Sequence, residues 1–144
     1  DCFVRYTTIM QTDDTTTEAK KDIVFIVDDD SFLLDMYAIR FTQAGYQVET
    51  ASSADEVLTK LRAGLTPKVV LLDVVMPAVD GFELLEQINE EKLIPTTVKI
   101  YLSNLGQEQD IARGKSLGAA GYIVKANSTP SEVVAKVKEI VYGN

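Results

Sequence analysis

Two short β-rich runs in this chain, IVFIV at 23–27 and VVLL at 69–72, are apolar at every position, and each stops abruptly at carboxylate: Asp28-Asp29-Asp30 after the first, Asp73 after the second. Runs of Val, Ile and Leu without polar alternation belong to strands buried on both faces, as in parallel α/β sheets. Ligand sites in such sheets lie beyond the carboxyl ends of the strands. If the two strands are neighbours, three or four acids converge on one crevice. An uncompensated cluster of that kind repels itself and raises some of its own pKa values. A hard divalent cation such as Mg2+, which takes one or two protein carboxylates, relieves the repulsion. The feature points to metal-assisted phosphate chemistry.

From Asp22 onward the chain alternates strand and helix. Ile23–Val27 is the first predicted strand. Ser31 to Ala44 carries Leu33, Leu34, Tyr37, Ala38 and Phe41 at helical spacing and stops at Gly45. A short alternating strand is expected over Tyr46–Thr50. Ser53 and Glu56 read as a capping box opening a helix that ends at Gly64. Val69–Leu72, wholly apolar, is the central strand. Pro77 and the Asp80-Gly81 pair mark a loop before a helix over Phe82–Glu91. Val98–Leu102 is a fourth strand, followed by a helix over Gln107–Leu117 that Gly114 is expected to interrupt. Gly121–Val124 is a fifth strand. Thr129-Pro130-Ser131-Glu132 is a capping box with proline at the first helical position, and Val133, Val134, Val137, Ile140 and Val141 give the last helix one apolar face. Five βα units joined by right-handed crossovers predict an α/β, doubly wound (βα)5 sandwich. Residues 1–21, Thr-rich and aperiodic, read as a flexible arm or a cloning remnant.

Composition removes several function classes. A net charge of −8 argues against direct binding of nucleic acid or an anionic membrane. No apolar run approaches the roughly 18 residues of a membrane span. The single cysteine, Cys2, has no internal partner, which fits a reducing compartment and a cytoplasmic location. The chain has no histidine, which excludes imidazole catalysis, histidine-ligated zinc and phosphohistidine on the chain itself. If phosphate moves here, any phosphohistidine belongs to a partner.

Other strand ends supply complementary groups. Strand 4 runs into Ser103-Asn104 and strand 5 into Lys125, so Asp28, Asp29, Asp73, Ser103 and Lys125 are expected at one end of the sheet. A carboxylate can attack phosphorus to give an aspartyl phosphate. A lysine ammonium and a serine hydroxyl can hold phosphoryl oxygens, so that positioning and charge carry the chemistry. IVFIVDDDS, VVLLDVVMPAVDGFELL, IYLSN and GAAGYIVK, in this order and spacing, resemble the receiver domain of two-component response regulators over residues 22–142.

That resemblance implies a CheY-like, flavodoxin-like sheet in the order 2-1-3-4-5, with Asp73 as phosphoacceptor and Mg2+ as cofactor. Asp28 and Asp29 would be the acidic pair, Asp29 the direct metal ligand and Asp28 acting partly through water, and Val75 would lend its backbone carbonyl. Ser103 would be the switch hydroxyl, Lys125 the phosphate-binding lysine and Tyr122 the rotameric aromatic. It also implies a signalling switch rather than an enzyme with turnover beyond its own phosphoryl transfer and slow autodephosphorylation. The phosphoryl donor would be a sensor histidine kinase or histidine phosphotransfer protein. Output would pass through the face of helix 4, strand 5 and helix 5 to a downstream protein, or through a phosphorylation-dependent homodimer. With VYGN directly after the last helix, that output is expected to be a binding event, unless the chain is a piece of a larger regulator.

Three positions depart from the family pattern. Ala126 follows Lys125 where receivers usually carry proline, often after a cis bond. Since a non-proline cis bond costs about 2.5–4 kcal/mol against about 0.5–1 for X–Pro, either a trans bond with a remodelled loop or strain is expected. Val75 stands where a polar residue is frequent and Asn104 where a small one is, both flanking the phosphorylation site. Two competing readings follow from the residues. A pseudo-receiver would keep the fold as an interaction module. A haloacid-dehalogenase-type phosphatase would use Asp28 as nucleophile in a DxD motif with Ser103 and Lys125. The second lacks an acidic pair after Lys125 and room for a cap domain, and leaves Asp73 idle.

Overall fold

The computed structural model describes residues 21–143. The arm reading for residues 1–21 and the cysteine at position 2 therefore lie almost wholly outside the described residues. Five strands alternate with five helices: β1 (Ile23–Val27), α1 (Ser31–Gln43), β2 (Gln47–Ala51), α2 (Ala54–Arg62), β3 (Val69–Leu72), α3 (Gly81–Glu90), β4 (Val98–Ser103), α4 (Glu108–Ser116), β5 (Gly121–Val124) and α5 (Pro130–Tyr142). All pairings are parallel and the sheet order is β2-β1-β3-β4-β5. This is the doubly wound arrangement the alternating pattern predicts.

The period-2 geometry of the strands sorts the core into two layers. Phe25, Val27, Val70, Leu72 and Tyr101 face one side, under Val57, Leu58 and Leu61 of α2 and Phe82, Leu84, Leu85 and Ile88 of α3. Val24, Ile26, Val69, Leu71, Ile100 and Leu102 face the other, under Leu34, Tyr37 and Phe41 of α1 and Val133 and Val137 of α5. Since β1 and β3 sit side by side with Val27 opposite Leu72, Asp28 and Asp73 leave the sheet next to each other.

Several local expectations change. β2 begins one residue later than expected, at Gln47, because the Tyr46 amide still donates to the Phe41 carbonyl at the exit of α1, while the Gln47 amide opens the ladder to Asp22. β4 continues to Ser103, which pairs with Val124. At α2, Ser53 caps the Glu56 amide, but Glu56 returns to the amide and hydroxyl of Ser52 instead of closing the box on Ser53. Gly114 does not interrupt α4, because the helix runs through it. A Cβ there would lie 2.9 Å from Cδ2 of Tyr101, so glycine is what lets α4 approach the ring. The boxes at Thr129 and Asp80 are complete, with Glu132 and Glu83 as partners.

Candidate functional site

Each acidic side chain owes its position to the end of a buried strand. Asp28 continues β1, its amide still bonded to the Ala51 carbonyl, and Asp73 continues β3, its amide bonded to the Val27 carbonyl. They are 2% and 5% exposed, whereas Asp29 faces solvent. Carboxylate oxygens of Asp28, Asp29 and Asp73 lie within 4.8 Å of one another. Asp30 leaves the cluster chemically: its carboxylate caps α1, accepting from the amides of Phe32 and Leu33 at 3.0 and 3.2 Å. Asp28 in turn accepts the Asp30 amide at 2.9 Å.

Lys125, the first residue of a 3-10 turn over Lys125–Asn127, bridges the two buried acids. Its Nζ stands 2.6 Å from Asp28 Oδ2 and 3.0 Å from Asp73 Oδ2. Burial drives the Asp28 carboxyl above its ordinary pKa; the hydrogen bonds from Lys125 and from the Asp30 amide oppose this without cancelling it. For Lys125, burial pulls the ammonium down, but its bond to Asp28 and the charge of Asp73 outweigh it and hold the lysine above its usual range.

These groups line one open cleft of about 340 Å³ together with Val75, Ser103, Asn104 and Leu33. The Val75 side chain is 60% exposed at its rim. Ser103 is fully buried, and its Oγ accepts the Leu105 amide at 3.2 Å. Tyr122 is not part of the cleft. Its hydroxyl donates to the Leu105 carbonyl, its ring packs at 5.5 Å from that of Tyr101, and burial pushes its phenol up to about 12. The Lys125–Ala126 bond is trans, as is every peptide bond among the described residues. Of the two outcomes expected where proline is missing, the trans bond is the one found.

The donor set suits a hard cation. Three carboxylates against one lysine leave net negative charge, and all candidate ligand atoms are oxygens. Two residues that the sequence marks only as a family departure and as part of a turn also contribute to the site. Asn104 lines the cleft, and Gly81 carries the backbone behind Asp73. The Gly81 amide donates to the Val74 carbonyl at 2.8 Å, and its carbonyl accepts the buried Tyr101 hydroxyl at 3.1 Å. A Cβ on Gly81 would stand 2.1 Å from the Asp73 carbonyl oxygen, so only glycine fits. Gly81→Ala is expected to lower unfolding stability by about 2 kcal/mol, as overpacking against backbone does, measured by urea denaturation. The sequence signal was available in the Asp80-Gly81 turn, but it reads equally as an ordinary turn.

The family model of the response regulator receiver domain matches residues 24–138. The chain belongs to that family. This receiver domain is 34% identical over 124 residues to the probable transcriptional regulator ycf27 of Pyropia yezoensis, covering 86% of this chain and 49% of the relative. It is 34% identical over 118 residues to the alkaline phosphatase synthesis transcriptional regulatory protein PhoP of Bacillus subtilis, covering 82% and 48%. The chain thus spans about half the length of these curated relatives. Among solved structures, a CheY-like receiver domain protein from Methanospirillum hungatei superposes with a TM-score of 0.76 at 30% identity, covering 85% of this chain and 94% of the other. Chemotaxis protein CheY4 of Vibrio cholerae gives 0.77 at 27% identity, covering 84% and 99%. Among the described residues, no helix is long and apolar enough to cross a membrane.

Proposed function

We propose that this receiver domain accepts a phosphoryl group on Asp73 from a phosphohistidine of a partner kinase or phosphotransfer protein and passes the signal on by a protein contact. The observation that carries the reading is the Lys125 ammonium held between Asp28 and Asp73, at 2.6 and 3.0 Å, in a cleft also lined by Asp29 and Ser103. An Asp73 carboxylate oxygen attacks phosphorus, and the bond from phosphorus to the partner's imidazole breaks, its electron pair leaving with the ring. Lys125 then donates to the phosphoryl oxygens in place of the Asp73 carboxylate, and the Ser103 hydroxyl turns from the Leu105 amide toward them. Asp28, Asp29, Asp73 and the Val75 carbonyl would hold Mg2+, which when bound neutralises charge on the transferring group.

The switch reading continues through Ser103 and Tyr122 to the α4–β5–α5 face. The bond from Tyr122 to Leu105, two residues after Ser103, supports that route. The relatives are transcriptional regulators by name, which supports a role in controlling gene expression. The negative charge of this domain supports output through protein rather than through its own contact with DNA. A cytoplasmic site of action follows from the same reading.

Incubation with acetyl phosphate and Mg2+ is expected to add one alkali-labile phosphoryl group per chain by intact-mass measurement, and a chelator is expected to prevent it. Absence of both uptake and millimolar Mg2+ binding would favour the pseudo-receiver instead. Sustained hydrolysis of p-nitrophenyl phosphate, lost in Asp28→Asn, would favour the phosphatase.

A further inference from the structure

Two of the departures from the receiver pattern meet in space. Ala126, in the place of the usual proline, has a backbone N–H that proline lacks. The side-chain oxygen of Asn104, which stands where receivers favour a small residue, accepts that N–H at 2.8 Å across 22 positions of sequence. Asn104 directly follows Ser103 at the end of β4, and Ala126 directly follows Lys125 at the end of β5. The 3-10 turn is also closed locally by the Ser128 amide on the Lys125 carbonyl at 3.2 Å.

We propose that Asn104 is a positioning residue for Lys125. Its hydrogen bond to the Ala126 amide ties the β5–α5 turn to the end of β4 and holds the lysine against Asp28 and Asp73 over a trans peptide bond. A proline ring restrains such a turn by fixing φ at one position. Here an inter-strand hydrogen bond performs that restraint and makes the presence of Asn104 and the absence of proline a single device. A small residue at 104 would leave the Ala126 N–H without its acceptor and the lysine on a turn without its tie to β4. The functional consequence rests on the reading of Asp73 as phosphoacceptor, while the tie itself does not.

The test compares wild type with Asn104→Ala and Asn104→Asp by NMR and by phosphorylation from acetyl phosphate. Asn104→Ala is expected to speed amide exchange at Ala126, to move the Lys125 ammonium resonance toward that of a free lysine, and to slow phosphorylation about tenfold through misplacement of the lysine. Asn104→Asp keeps an acceptor oxygen and is expected to restore both NMR signals. The NMR arm needs no phosphate, so it reports on the tie even if Asp73 took none. Unchanged Ala126 exchange or an unmoved Lys125 resonance in Asn104→Ala overturns the proposal. So does a wild-type phosphorylation rate in a variant whose Ala126 amide exchanges freely.

Discussion

Asp73→Asn is expected to take up no phosphate from acetyl phosphate under conditions where the wild type takes up one group per chain. The amide is a poor nucleophile toward phosphorus, and among the described residues no other carboxylate shares the position of Asp73. Asp28 is equally buried, but Lys125 at 2.6 Å and the Asp30 amide at 2.9 Å hold its two oxygens more tightly than Lys125 at 3.0 Å and the Val75 amide at 3.4 Å hold those of Asp73, and Asp29 stands in solvent. The substitution is close to isosteric and removes one of two acids facing the same lysine, so the fold should persist. Far-UV circular dichroism and thermal unfolding of the variant separate loss of chemistry from loss of structure. Uptake at the wild-type rate in Asp73→Asn would place the nucleophile elsewhere.

Lys125→Met is expected to cost about 3 kcal/mol of stability at neutral pH without divalent cation, the lower end of the range for removing one partner of a buried ion pair. The lysine side chain is 9% exposed and touches both acids. Without it, two buried carboxylates and Asp29 face one another with no cation. The loss should shrink as pH falls. Burial raises the folded-state pKa of Asp28. The stability that protonating Asp28 contributes is therefore fully present below its unfolded value of about 3.9 and is lost as pH rises through the folded value. Mg2+ should restore much of the deficit, because a ligand that binds only the folded state stabilises it by mass action. Urea denaturation with chelator and with Mg2+, at neutral and acid pH, checks both dependences. Equal loss under all conditions would reduce Lys125 to a packing role.

Much of the fold and the site is legible in the sequence because the strand ends carry both. The wholly apolar run at Val69–Leu72 demanded a central strand, and once β1 lies beside it the convergence of Asp28 and Asp73 follows from parallel register. Asp30 stands directly before Ser31, the place of an N-cap, and its carboxylate takes that role. What the sequence could not display were contacts set by packing. Gly114 reads as a helix breaker until the Tyr101 ring is seen beneath it, and the start of β2 depends on the Tyr46 amide staying with α1. Asn104 and Ala126 each read as an isolated departure. Only the neighbouring positions of β4 and β5 bring an amide without proline to an acceptor that a small residue would lack.

The most direct measurement is to locate the phosphoryl group itself. Chain phosphorylated with acetyl phosphate and Mg2+ would be reduced with borohydride, which converts an acyl phosphate to a homoserine, and the modified residue would be mapped by peptide mass spectrometry. Homoserine at position 73 is the predicted result. Modification at Asp28 or Asp29 with Asp73 intact would contradict it.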